Sequence, residues 1–185
     1  MNDKAQGAAQ SAYQLYVGTD SAAVSTSKGN AWTTTKIASS NNLAIYSGRQ
    51  LKPFTKYYWR VQLWDKTGKR LTASPVASFE TGMMSMQNWK GSWISDNKGI
   101  AVNPAPYFRN TFKVVKPIRS ARAYIAVAGL YELYLNGKKI GNHRLDPMYT
   151  RFDRRTLYVS YDVTTQLQSG KNAIGVLLGN GWYNH

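Results

Sequence analysis

The chain reads as all-β: a β-sandwich followed by a second, partial β module. Three observations carry that reading. Apolar and polar residues alternate with period two along several short stretches, the spacing at which successive strand side chains reach opposite faces. Turn-forming residues separate the stretches at short intervals, and no convincing long helical pattern interrupts them. The pair Asn136-Gly137 sits between Leu133-Tyr134-Leu135 and Lys139-Ile140, where two residues tolerant of positive φ close a tight hairpin turn. At 185 residues, 43% hydrophobic and 13% aromatic, the chain has enough apolar surface for one large or two small cores.

Taken in order, Tyr13, Leu15 and Val17 alternate with Gln14 and Tyr16 as a half-buried strand. The small polar run from Thr19 to Ser40 offers Trp32 and Ile37 to a core, and Leu43 to Tyr46 predicts a short strand ended by Ser47-Gly48. Leu51 to Trp64 predicts a longer strand, Asp65-Lys66-Thr67-Gly68 a turn and Val76 to Thr81 a closing strand. Gly82 to Asn88, with three methionines, reads as the join, so the expected division is 1–83, a linker at 84–88 and a second module at 89–185. In that module strands are expected near Tyr107 to Val114, Ala121 to Val127, Tyr131 to Leu135, Leu157 to Tyr161 and Asn172 to Leu178. Asp162 is placed to cap the Val163 to Gln168 turn, and Gly170 to end it.

Charge narrows the partners. Lys and Arg number 24 against 9 Asp and Glu, a net +15, and only Glu80 and Glu132 are glutamates. The excess is spread over both halves, so no basic tail accounts for it, and the field attracts polyanions. Zinc-finger spacing, a basic helix and an aromatic RNA-binding signature are all missing, so nucleic acid is not the expected partner. No apolar run is long enough to span a membrane, and the first twenty residues lack a secretion-type apolar segment, so residue 1 reads as an artificial or truncated start. Without cysteine there is no disulfide, thiolate metal site or cysteine nucleophile.

Leu51, Pro53, Thr55 and Tyr57 at alternate positions, leading into Tyr58-Trp59-Arg60-Val61, resemble the fibronectin type III family. The resemblance implies that the Tyr57 hydroxyl bonds back to the preceding loop while its ring packs inside. It also implies a first strand that is missing here or replaced by Met1 to Ala9. Trp89 to Ile94, Ala105 to Arg109, Asn136-Gly137-Lys138, Leu145-Asp146-Pro147, Thr150 with Asp153, Leu157-Tyr158, Tyr161-Asp162-Val163-Thr164 and Leu178 to Asn184 follow in one order. Together they resemble the N-terminal domain of bacterial α-L-rhamnosidases. That resemblance implies a fibronectin-like module followed by part of a jelly roll, which supports a separate catalytic barrel in cis and meets a rhamnose-containing glycan. The barrel's acids belong elsewhere, so no catalytic residue is expected here, and residue 185 reads as a cut that exposes a strand edge at Asn172 to Leu178. Similar enzymes are exported, which implies a periplasmic or extracellular place. The alternative is a standalone carbohydrate-binding or adhesive protein.

Sugar recognition needs flat apolar surface for the C–H face of a ring and polar groups for hydroxyls, a mixture that Asn180, Trp182, Tyr183 and Asn184 supply on one glycine-flanked loop. Packing of Trp182 and Tyr183 against another part of the protein competes with it. Arg144, Arg151, Arg154 and Arg155 form the expected anion-facing patch, suited to an acidic chain such as pectin. Asp146 and Asp153 lie among them and are expected to satisfy loop amides and a neighbouring arginine; calcium is the alternative ligand, and no other cofactor is expected. Glu132 is expected to face Arg109 or Arg122, and His143 and His185 to be exposed or terminal.

Overall fold

The computed structural model describes residues 7–98 and 105–183, which fall into two compact units, Met1–Ser92 and Trp93–His185. The segment expected as a linker holds one 3₁₀ turn, Met86–Asn88, and the Asn88 amide donates to the Met83 carbonyl at 2.8 Å. The replacement of a first strand by Met1 to Ala9 concerns, for residues 1–6, positions outside the described residues.

The first unit is built on β1 (Gln10–Gly18) and β4 (Lys56–Asp65), which pair antiparallel with Tyr13 opposite Leu63 and Val17 opposite Trp59. The short strands β2 (Trp32–Thr33) and β3 (Ile37–Ala38) share the free side of β1, and β5 (Ala77–Glu80) closes the other side of β4. The Tyr57 corner forms as expected: its hydroxyl accepts from the Lys52 N–H at 2.9 Å, and its ring, 3% exposed, stacks on Phe79 at 5.5 Å.

Two expectations fail in this unit. Tyr13, Leu15 and Val17 were the predicted inward face of β1, but Ala12 and Tyr16 on the opposite face are buried as well. A helix the sequence pattern hid, α1 (Ser21–Ser25), follows β1 and packs with Val24 beside Gly18. Asp20 caps it by accepting from the Ala22 and Ala23 N–H groups, and Val24 is fully buried. Five residues carry no 3.6-residue periodicity to read. Leu43 to Tyr46 is not a strand, and Leu43 and Ile45 stand exposed. This stretch is held by a side chain instead: the Tyr46 hydroxyl donates to the Arg49 carbonyl at 2.6 Å, and its ring meets Trp32 edge-on at 5.1 Å.

In the second unit, β6 (Tyr107–Val114), β11 (Gly170–Gly179), β8 (Leu130–Leu135) and β9 (Lys138–Ile140) lie side by side in that order, and β7 (Arg122–Ala126) pairs with β10 (Tyr158–Asp162) as a second sheet. All pairings are antiparallel. Every other residue of β8, Tyr131, Leu133 and Leu135, is buried, and Ile140 and Val163 join them against Ile174, Val176 and Leu178 of β11 and Ala123, Ile125, Val159 and Tyr161 of the smaller sheet. Burying a large aliphatic side chain is worth about 1.5–3 kcal/mol, so this shared apolar face is the main term holding the unit together. The hairpin turn is the expected one, with Asn136 at φ 52° and Gly137 at φ 78°.

The turn after β10 is also as read. The Asp162 carboxylate accepts from the Thr164 N–H at 3.0 Å, and Leu167 N–H closes on the Val163 carbonyl at 3.2 Å. Asn172, 1% exposed, ties this turn to the hairpin: its amide donates to the Gln168 and Gly170 carbonyls, and its oxygen accepts from Gln168 N–H and the Asn136 amide. One expectation is corrected here. Asn172 to Leu178 is no exposed edge, because β11 is flanked by β6 and β8; β6 and β9 are the outer strands of this sheet.

Candidate functional site

The loop between β9 and β10 is fixed at one carboxylate. Tyr131, in the core, donates its backbone N–H to the Asp146 carbonyl at 3.2 Å. The Tyr161 hydroxyl donates to Asp146 Oδ2 at 2.9 Å, and His143 Nδ1 meets the same oxygen at 2.8 Å. With the Tyr161 proton so committed, the Tyr131 hydroxyl donates to the Tyr161 oxygen, 3.0 Å away. Burial, and then that bond to Tyr161, push the Tyr131 phenol far above its ordinary pKa, so it stays a proton donor at any working pH. Pro147, joined to Asp146 by a cis peptide, is fully buried.

Past this anchor the chain turns outward. Met148 and Tyr149 are exposed, and Arg154 and Arg155 N–H groups both close on the Arg151 carbonyl at 2.8 Å. At the end of β11 a second turn forms, with Tyr183 N–H on the Asn180 carbonyl at 3.4 Å. The two turns bring four rings into one row: Trp182 to Tyr149 at 6.3 Å, Tyr149 to Phe152 at 5.9 Å and Phe152 to Tyr183 at 5.9 Å, each contact edge-to-face. Trp182 keeps 71% of its surface exposed and Tyr149 64%. Edge-to-face contacts fix the rings at a cost far below full burial and leave ring faces open to solvent.

Of the residues expected at the site, Trp182 and Tyr183 stand in this row, and Asn180 forms the turn below them. Asn184 lies outside the described residues. Arg144, Arg151, Arg154 and Arg155 are all exposed. Arg151 clasps Asp153 through Nε at 3.1 Å and a terminal nitrogen at 2.6 Å, with Arg154 at 3.7 Å, so Asp153 is held as expected. Asp146 is held by Tyr161 and His143 and not, as expected, by an arginine. Among the described residues no three acidic or histidine groups gather as a metal site. Glu132 faces neither Arg109 nor Arg122: it takes the Tyr134 hydroxyl at 2.6 Å and the Lys139 ammonium, and those hydrogen bonds, Lys139 first, lower its pKa. Arg122 instead reaches Asp162 at 2.6 Å. Tyr149 and Phe152 were overlooked. Their signal was two aromatics in a loop of arginines, where ring faces have no strand alternation to bury them.

An antiparallel β chain in two units, the second carrying an exposed aromatic row in a loop with arginines, is a tandem β module. Residues 1–85 match the family described as the Rha78A-like, N-terminal immunoglobulin domain, and residues 116–185 the α-L-rhamnosidase N-terminal domain. Curated relatives are α-L-rhamnosidases of Formosa agariphila, 36% identical over 96% of this chain and 21% of its own length, and of an Alteromonas species, 34% identical over 95% and 20%. The solved α-L-rhamnosidase from Dictyoglumus thermophilum matches 99% of this chain with 22% of its own, at 39% identity and a TM-score of 0.88. That of Aspergillus terreus matches 98% with 21%, at 26% identity and 0.76. The chain corresponds to the N-terminal part of these α-L-rhamnosidases, residues 1–85 to their immunoglobulin-like domain and 116–185 to the N-terminal domain that follows, and spans about a fifth of the relatives' length.

Proposed function

We propose that the chain is the non-catalytic front of an enzyme that releases terminal α-L-rhamnose, and that the Tyr149, Phe152, Trp182 and Tyr183 row meets the glycan beside a catalytic domain carried in cis. The single observation that supports contact with sugar is the row itself: a folded domain rarely leaves several large rings exposed together unless the patch serves an interaction. A sugar ring would lay its C–H face on Trp182 or Tyr149, while Arg155, in the same loop as Tyr149 and Phe152, would grip hydroxyl pairs or a carboxylate.

The charge of +15 favours an acidic chain, such as pectin in which rhamnose alternates with uronate, and a polysaccharide substrate fits a periplasmic or extracellular place. Retention of the 185-residue chain on immobilised rhamnogalacturonan tests this. Retention should persist at low salt and weaken as salt rises, because arginine contacts are screened while ring contacts are not. Passage without delay at low salt would refute it.

A further inference from the structure

The outer face of the four-stranded sheet holds a second feature that the aromatic row does not explain. Registers across β6, β11, β8 and β9 set Arg109, Gly175, Tyr134 and Lys139 in one row, with Tyr107, Leu177 and Glu132 beside it and Thr111 and Ala173 on the other side. These residues alternate with the core set, so they all face away from the core. Gly175 sits in mid-strand without a positive φ. A Cβ built there would meet nothing closer than 3.8 Å, so neither backbone nor packing requires glycine. Glycine in a central strand weakens it, and it commonly marks close approach of a ligand.

Next along this face, Lys113 and Lys171 are directly opposed on neighbouring strands. Like charges so placed destabilise a sheet. Among the described residues no carboxylate pairs with them or with Arg109, and the one acid of the face, Glu132, is engaged by Lys139 and Tyr134. The same bond from its hydroxyl aims Tyr134, directly opposite Gly175, toward Glu132 on the Leu177 side of the row.

We infer that this sheet face binds an anionic polysaccharide, with uronate carboxylates meeting Arg109, Lys113 and Lys171 and a sugar ring lying over Gly175 and Ala173 against Tyr134. An anion lying between Lys113 and Lys171 offsets their repulsion, and the glycine leaves the floor flat enough for a pyranose. The inference shares with the proposed function the premise that this unit meets glycan, but it places the acid-reading surface on the sheet, apart from the loop rings.

The test is calorimetric titration of the 185-residue chain with polygalacturonate oligosaccharides and with their methyl-esterified, uncharged counterparts. Three variants accompany it: Lys113→Gln with Lys171→Gln, Gly175→Val, and Tyr149→Ala with Trp182→Ala. Wild type should bind the acidic oligomer more tightly than the ester. The lysine pair variant should lose about tenfold or more of that affinity while melting no lower than wild type, since a repulsion has been removed. Gly175→Val should also weaken binding without lowering the melting temperature, because valine favours strands and fills the floor. Wild-type affinity in the folded lysine pair variant would overturn the inference, as would loss of acidic binding in the loop variant alone. Loop variants that bind rhamnogalacturonan unchanged would instead count against the proposed function and leave the sheet face standing.

Discussion

Asn172→Asp changes one atom of a buried side chain and tests how the second unit is tied together. The amide nitrogen of Asn172 donates to the Gln168 carbonyl at 2.8 Å and the Gly170 carbonyl at 3.1 Å; the variant puts a carboxylate oxygen there, facing two acceptors. Each buried group left without a partner costs about 1–3 kcal/mol. Gln168 and Gly170 lie at the surface, where a small shift lets water reach their carbonyls, so the loss falls near the lower end, about 2–3 kcal/mol in total. For a unit of this size that is roughly a 10–20 °C fall in Tm. Thermal unfolding followed by circular dichroism measures it at neutral pH. The gap to wild type should narrow on acidification, because a protonated carboxyl regains a donor for Gln168. A Tm within about 2 °C of wild type at neutral pH would refute the reasoning.

Tyr57→Phe should destabilise the first unit by about 1 kcal/mol by leaving the Lys52 N–H without its acceptor, seen as a lower denaturant midpoint at unchanged slope. Asp162 sets a pH dependence in the second unit. Hydrogen bonds from the Thr164 hydroxyl and then its N–H, with Arg122 nearby, lower its pKa, so its contribution is complete above the ordinary aspartate range and is lost as pH falls through the lowered value. Stability measured against pH should therefore decline in acid, and Asp162→Asn should flatten that acid limb.

Much of the second unit was legible because its signals are local and periodic. β6 falls on Tyr107 to Val114 as predicted, and Asn136-Gly137 makes the turn its φ tolerance suggested. Asp162 and Gly170 bracket the turn for equally local reasons. What the sequence hid depends on neighbours distant along the chain. The edge expected at Asn172 to Leu178 follows from reading residue 185 as a cut; β11 is instead covered by β6, some sixty residues earlier, and such pairing leaves no mark on the strand itself. Leu43 to Tyr46 has strand composition but no ladder to join, so composition misled. The site divided in the same way. Trp182 and Tyr183 were visible as aromatics on a glycine-flanked loop, whereas Tyr149 and Phe152 joined them only through the fold.

The most direct measurement of the central claim is the affinity of a rhamnogalacturonan oligosaccharide for wild type and for the Tyr149→Ala, Trp182→Ala double variant, by calorimetry at fixed low salt. Losing two ring contacts of about 0.5–1.5 kcal/mol each should weaken binding by about 5- to 150-fold. Both rings are largely exposed, so the melting temperature should stay close to wild type. Equal affinity in the two proteins would contradict the assignment of the aromatic row to glycan.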